Sequence, residues 1–140
     1  MTVRTLGETA VGQTFGPVTV PVTRAALVAY AAASGDQNPI HQDEAFAKSV
    51  GLPDVIAHGM WTMGATSSVL ADWLGDAGRV LQYGTRFTAM LVVPPEGTEL
   101  EVSGTVKALD EEAGTAVVEL TATAAGAKVL GRCQAVVRLG

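Results

Sequence analysis

Residues 57–74, AHGMWTMGATSSVLADWL, are the stretch on which the fold turns. It carries a single formal charge, Asp72, and is otherwise apolar, small or hydroxylated. A helix without a charged face is normally covered on all sides. At 1.5 Å per residue it would run about 27 Å, close to the width of a small domain. Gly75-Asp76-Ala77-Gly78 supplies the stop. His58, Asp72 and the hydroxyl residues make the stretch too polar, and its length too short, for a membrane span. The spacing therefore predicts one central helix that the rest of the chain must cover.

Downstream, the period changes from helical to two. Residues 85–93 form a first apolar run, turned by Pro94-Pro95-Glu96-Gly97. Residues 98–109 alternate, with Leu100, Val102, Val106 and Ala108 on one face and Glu99, Glu101, Thr105 and Lys107 on the other. A hairpin connection over 110–114 leads into 115–124, where Ala116, Val118, Leu120 and Ala122 share a parity. Gly126 turns the chain into 128–139, with Val129, Cys133, Ala135, Val137 and Leu139 together. Alternation of this kind marks antiparallel strands with one solvated face. Upstream, 13–20 has strand character, and Thr23 is placed to cap a helix over 24–34 that Gly35 ends. Asp43 caps a short helix over 44–49, stopped by Gly51. The expectation is a single α+β domain over 1–140: a long central apolar helix wrapped by a curved antiparallel β-sheet. Its sheet edges need cover, which dimerisation through the sheet would provide.

Bulk properties narrow the functional classes. Apolar residues make up 48% of the 140 and charged residues 16%, which argues for a packed core over disorder. A net charge of −5 without a basic run argues against nucleic acid as partner. The lone Cys133 allows neither an internal disulfide nor a cysteine-based metal site, and its strand parity makes it a core residue. The first sixteen residues lack the apolar run of a signal peptide, so the expected location is the cytoplasm, with no membrane insertion.

Polar chemistry in the front half concentrates in Ser34-Gly35-Asp36-Gln37-Asn38-Pro39-Ile40-His41. A Pro-containing turn can bring Asp36 and His41 to one point, and an imidazole with a carboxylate is an acid–base pair. A solvated turn, with Asp36 capping backbone N–H groups and His41 incidental, fits the same spacing. A second feature is Ala57-His58-Gly59-Met60 at the start of the apolar helix. Unpaired N–H groups at a helix start, with no side chain on Gly59, can receive a substrate carbonyl. His58 fits a bracing role there better than proton exchange. Trp61, Met60 and Met63 read as packing or as the lining of an acyl pocket. Arg86, Lys128 and Arg132 read as solvated charges.

The segment YAAASGDQNPIH (residues 30–41), with Asp43 and then Ala57-His-Gly-Met60, resembles the hydratase motif of the MaoC-like family. That family comprises (R)-specific enoyl-CoA hydratases and (3R)-hydroxyacyl thioester dehydratases with a hot-dog fold. Further stretches are similar to the catalytic β-subunit type of the mycobacterial (3R)-hydroxyacyl-ACP dehydratases. These include Gly51-Leu52, Thr62-Met-Gly64, Arg86-Phe-Thr-Ala89 and Leu120-Thr-Ala-Thr123.

The resemblance implies that Asp36 and His41 hold and activate water and exchange a proton with the substrate α-carbon. It implies that Gly59 N–H polarises the thioester carbonyl, that Asn38 orients the turn, and that Ser67 lies near the site. The reaction would interconvert a trans-2-enoyl thioester plus water with the (3R)-3-hydroxyacyl thioester. No metal or redox cofactor is expected; coenzyme A or the phosphopantetheine of an acyl carrier protein is part of the substrate. Expected partners are acyl-CoA or acyl carrier protein, and a second hot-dog subunit in a homodimer or heterodimer. The competing readings are a non-catalytic acyl-binding or partner-supporting hot-dog subunit and a hot-dog thioesterase.

Overall fold

The computed structural model describes residues 2–140. In chain order the regular elements are β1 (Thr14–Val22), α1 (Arg24–Ser34), α2 (Glu44–Ser49), α3 (Gly59–Leu74), β2 (Val80–Phe87), β3 (Thr98–Asp110), β4 (Thr115–Ala124), β5 (Ala127–Lys128) and β6 (Leu130–Arg138). The strands form one antiparallel sheet in the order β1-β3-β4-β6-β2, with β5 paired to the end of β4. Register shifts in the β1–β3, β3–β4 and β2–β6 pairs interrupt the ladder. Such bulges bend a strand and increase its twist, which is what closing a sheet around a helix demands. The concave face meets α3 in one core that includes Leu70, Leu74, Leu100, Val102, Val106, Val118, Leu120 and Val137.

The helix boundaries follow from local chemistry. Thr23 accepts a hydrogen bond from Ala26 N–H at 3.0 Å, and Asp43 accepts one from Phe46 N–H at 3.0 Å. Gly35 and Gly75, both in the left-handed region, end α1 and α3. Gly104 is where β3 passes under the Phe15 ring, which stacks on Trp73 of α3 at 4.6 Å. A β-carbon at Gly104 would fall 2.1 Å from that ring, so the aromatic stack requires glycine there.

Four expectations from the sequence are corrected. Helix α3 begins at Gly59, not at 57, because Ala57 N–H is bonded to Leu91 O at 2.9 Å outside any helix. Helix α3 is also not covered on every side. Thr62, Thr66, Val69, Leu70 and Leu74 are buried, while Met60, Gly64, Ser68 and Asp72 form an exposed ridge. The strand expected over 85–93 instead runs Val80–Phe87. Leu91 and Val93 are buried, as an apolar run suggests, but their backbones bond to Ala57 and Val55 rather than to the sheet. Finally, the bulge at Lys107 reverses the parity of β3, so that Leu109 packs on the core and Ala108 is exposed.

Candidate active site

The site is assembled from three backbone segments that α1 and α2 hold in place. The turn after α1 is built by its own side chains. Ser34 Oγ accepts from Asp36 N–H, Asp36 Oδ1 accepts from Asn38 N–H at 3.2 Å, and Asn38 Oδ1 accepts from Ile40 N–H at 3.2 Å. Asn38 thereby caps a single 3-10 turn over Pro39–His41, whose first position suits proline because its missing N–H would be unpaired anyway. Asp36 does cap backbone, as the solvated-turn reading holds, and His41 is nevertheless buried at 7% exposure.

The second segment, 54–58, is extended between the turn and the sheet. Ile56 N–H donates to Ile40 O, and Ala57 N–H donates to Leu91 O. Arg24, near the start of α1, locks this arrangement. Its guanidinium pairs with Glu44 of α2 and with Asp54, and its Nε donates to Val93 O at 3.0 Å. The Lys48 ammonium and the Arg24 guanidinium beside Glu44 hold its carboxyl below the usual carboxylate value.

Backbone carbonyls decide the state of both histidines. His41 Nδ1 lies 2.7 Å from Ile56 O, and a nitrogen so close to a carbonyl must carry the proton. Nε2 of His41 is left with a free lone pair. His58 Nε2 lies 3.1 Å from Asp36 O and donates to it. Its Nδ1 is buried without a partner. The two rings stack with centroids 3.8 Å apart and planes 23° from parallel, and Tyr30 meets His58 edge-on at 4.8 Å. A carboxylate oxygen of Asp36 and one ring nitrogen of each histidine lie within 4.8 Å of one another. Imidazole lone pairs lie in the ring plane, and planes stacked this closely do not converge within a metal–nitrogen bond of about 2.1 Å. The cluster suits proton transfer better than metal ligation.

The third segment is the start of α3. His58 is its N-cap residue and makes no side-chain cap hydrogen bond. The helix start thus offers N–H groups and the positive end of its dipole to a ligand. Two cavities meet at this point. One, of about 440 Å³, is lined by His41, Ile56, Ala57, Thr62, Leu91 and Val129 among others. The other, of about 470 Å³, is lined by Tyr30, Ser34, Asp36, His58 and Met60. Gly59 and Phe87 border both. A larger groove of about 720 Å³ lies between the ends of β1, β3 and β4 and is lined by none of these groups.

Asp36, Asn38, His41 and Gly59 therefore come together in one place. Ser67 does not join them. It lies two turns along α3 from Gly59, its Oγ donates to Gly64 O at 2.7 Å, and it lines neither cavity. Trp61 packs partly buried against the core rather than lining either cavity. Cys133 is buried, as its parity indicated. Two lining residues, Thr62 and Phe87, fall in stretches that resemble the family but were not among the expected site residues. Thr62 reads as a helix hydroxyl, and Phe87 as part of an apolar run. Phe87 reaches Gly59 only because the end of β2 folds over the start of α3.

Residues 7–126 match the family model described as "MaoC like domain". A solved structure described as a MaoC-like dehydratase superposes with a TM-score of 0.96 at 40% identity, covering 99% of this chain and 43% of that one. The (R)-hydratase from A. caviae involved in PHA biosynthesis superposes with a TM-score of 0.84 at 30% identity, covering 95% of this chain and 98% of its own. Over 73 residues the chain is 41% identical to 3-hydroxyacyl-thioester dehydratase X of Mycobacterium tuberculosis, covering 52% of this chain and 25% of that protein. The chain spans a quarter or less of the length of the first curated relatives it matches.

Proposed function

The chain belongs to the MaoC-like domain family, and from that premise we propose that it adds water to trans-2-enoyl thioesters and removes it from (3R)-3-hydroxyacyl thioesters. The observation that supports this most directly is the meeting of Asp36, His41 and the uncapped start of α3 at one place. In the hydration direction the thioester carbonyl lies against Gly59 N–H. Water held by Asp36 and His41 loses a proton to this pair as its oxygen bonds to C3. The electron pair of the double bond moves through C2 onto the carbonyl oxygen. The resulting enolate is stabilised by the N–H groups and dipole at the helix start. Return of a proton from the pair to C2 completes the addition, and dehydration is the reverse.

His41 suits the base role because its Nδ1–H is committed to Ile56 O, which aims the free Nε2. Asn38 shapes the turn, and His58 braces it through Asp36 O. Ser67 is given no role. Metal and redox chemistry are not required, because the thioester itself acidifies the α-proton. The acyl carrier, coenzyme A or a carrier protein's phosphopantetheine, belongs to the substrate, and the location proposed with it is the cytoplasm. Among the described residues no helix is long and apolar enough to cross a membrane.

A second subunit of the same fold belongs to the proposal. The outer strands β1 and β2 leave sheet edges unpaired, and α3 leaves a ridge exposed. A structurally similar protein has been solved as the ChsH1–ChsH2 complex of Mycobacterium tuberculosis.

The test is conversion of trans-2-enoyl-CoA, followed by loss of the conjugated enoyl absorbance and by chiral analysis of the product. Asp36→Asn and His41→Ala should each lower the rate at least about a hundredfold. Acyl-CoA binding without water addition would place the protein with non-catalytic subunits, and release of free thiol would make it a thioesterase. Unchanged rates in both variants would remove the pair from the chemistry.

A further inference from the structure

Resting on that reading, we propose that Phe87 is the residue that determines which acyl groups reach the reaction centre. The two cavities at the start of α3 share Gly59 and Phe87 and no other lining residue. His41 borders one and Asp36 the other. Water held by both groups, beside a carbonyl on Gly59 N–H, requires these cavities to be continuous. Phe87 is the only side chain that lines both, since the other shared residue is a glycine. Its contact with Gly59 is so close that a β-carbon there would sit 3.0–3.2 Å from the ring carbons.

The ring is more than half exposed, while its backbone is held in place. In the isolated chain Phe87 is 55% exposed. Its backbone pairs with Leu130, and the next residue is tied down twice, by Thr88 N–H to Val129 O at 3.1 Å and by Thr88 Oγ1 to Lys128 O at 3.0 Å. The available motion is therefore rotation of an exposed side chain about χ1, which is fast and needs no loop rearrangement. With the ring against Gly59, Phe87 forms one wall of the cavity beside His41. Ile56, Ala57, Leu91 and Val129 give it an apolar side that suits a hydrocarbon chain.

A short enoyl group packs against the ring where it lies. A long one must turn the ring aside and loses that contact. Phe87 thus acts on specificity through the fit of the acyl chain, while Asp36 and His41 carry the proton transfers.

The experiment compares wild type, Phe87→Leu and Phe87→Ala on trans-2-butenoyl-CoA and trans-2-dodecenoyl-CoA, measuring kcat and KM for each. Phe87→Ala should shift the ratio of kcat/KM toward the long substrate by about tenfold or more, the scale of lost or gained apolar contacts in an acyl pocket. Phe87→Leu should fall between. Because the ring is exposed, both variants should keep the wild-type unfolding midpoint, and Phe87→Leu covers the case in which the alanine variant does not fold. An active wild type whose chain-length ratio is unaltered in both variants overturns the role of Phe87 and leaves the hydratase reading standing. A wild type inactive on both substrates overturns the two together.

Discussion

His58 shows how one side chain can serve a site without exchanging protons there. Its Nε2–H is spent on Asp36 O, and its ring face is spent on His41. What remains, the Nδ1 lone pair, is buried and unpartnered. Burying a polar atom without a hydrogen bond costs free energy, so its retention points to what the other edge of the ring does. Replacing His58 by Ala should remove the tether on the Asp36 turn and the surface on which His41 rests. We expect a loss of about 0.5–1.5 kcal/mol in urea unfolding, the net worth of that hydrogen bond, with a fall in kcat that exceeds any change in KM. A variant with wild-type kcat and stability would show that the turn holds itself. The turn was legible in the sequence because Asp36, Asn38 and Pro39 act on their immediate neighbours. The stacking of His41 on His58 was not, since it depends on where residues 54–58 cross the turn.

Among the elements, α1 and α2 act as the frame on which the site is hung, and Arg24 is the joint. One guanidinium engages Glu44, Asp54 and Val93 O, so it ties two helices, the extended segment before α3 and the chain after β2. Arg24→Met keeps most of the aliphatic length and removes every one of these bonds. The variant should unfold at lower urea, by about 1–3 kcal/mol, because Asp54 is mostly buried and loses its cationic partner. Catalytic loss should accompany it, measured as reduced kcat at temperatures where the fold is intact. The caps of α1 and α2 could be read directly, as side chain–backbone bonds that span three residues. The strand expected over 85–93 could not. An apolar run reports that side chains are buried, and Leu91 and Val93 are buried. It does not report which backbone pairs with them, and here the partners are Val55 and Ala57.

For the molecule as a whole, the wrap of the sheet around α3 leaves a link between β2, β6 and the helix. Tyr83 donates its phenol hydrogen to Met63 O at 2.7 Å, and the Cys133 thiol lies 3.9 Å from the phenol oxygen. Burial, with the thiol beside it, pushes the Tyr83 phenol well above its usual range, and burial likewise pushes the Cys133 thiol up. Both groups are neutral when protonated and hold their protons more tightly in the folded state. Their contribution is full below the ordinary values of 9.0 for the thiol and 10.0 for the phenol, and is lost as pH rises beyond them. The urea midpoint should therefore decline once the pH passes about 9, and Cys133→Ala should remove the earliest part of that decline. A decline of the same onset and slope in the variant would assign it to other groups.

The sequence by itself determined the class of this protein, an α+β chain with one long helix and an antiparallel meander, and the polar turn that holds Asp36 and His41. Those features rest on interactions within a few residues: caps, turn hydrogen bonds and the period of burial along a strand. Tertiary structure alone decided the starting point of α3, the reversal of parity at the β3 bulge, the hydrogen-bonding partners of residues 91–93, the stack of the two histidines and the placing of Phe87 over Gly59. Each of these joins segments far apart in the chain. Their geometry is set by how a bulged sheet closes around a helix that is covered on only part of its surface, and no local preference encodes that closure.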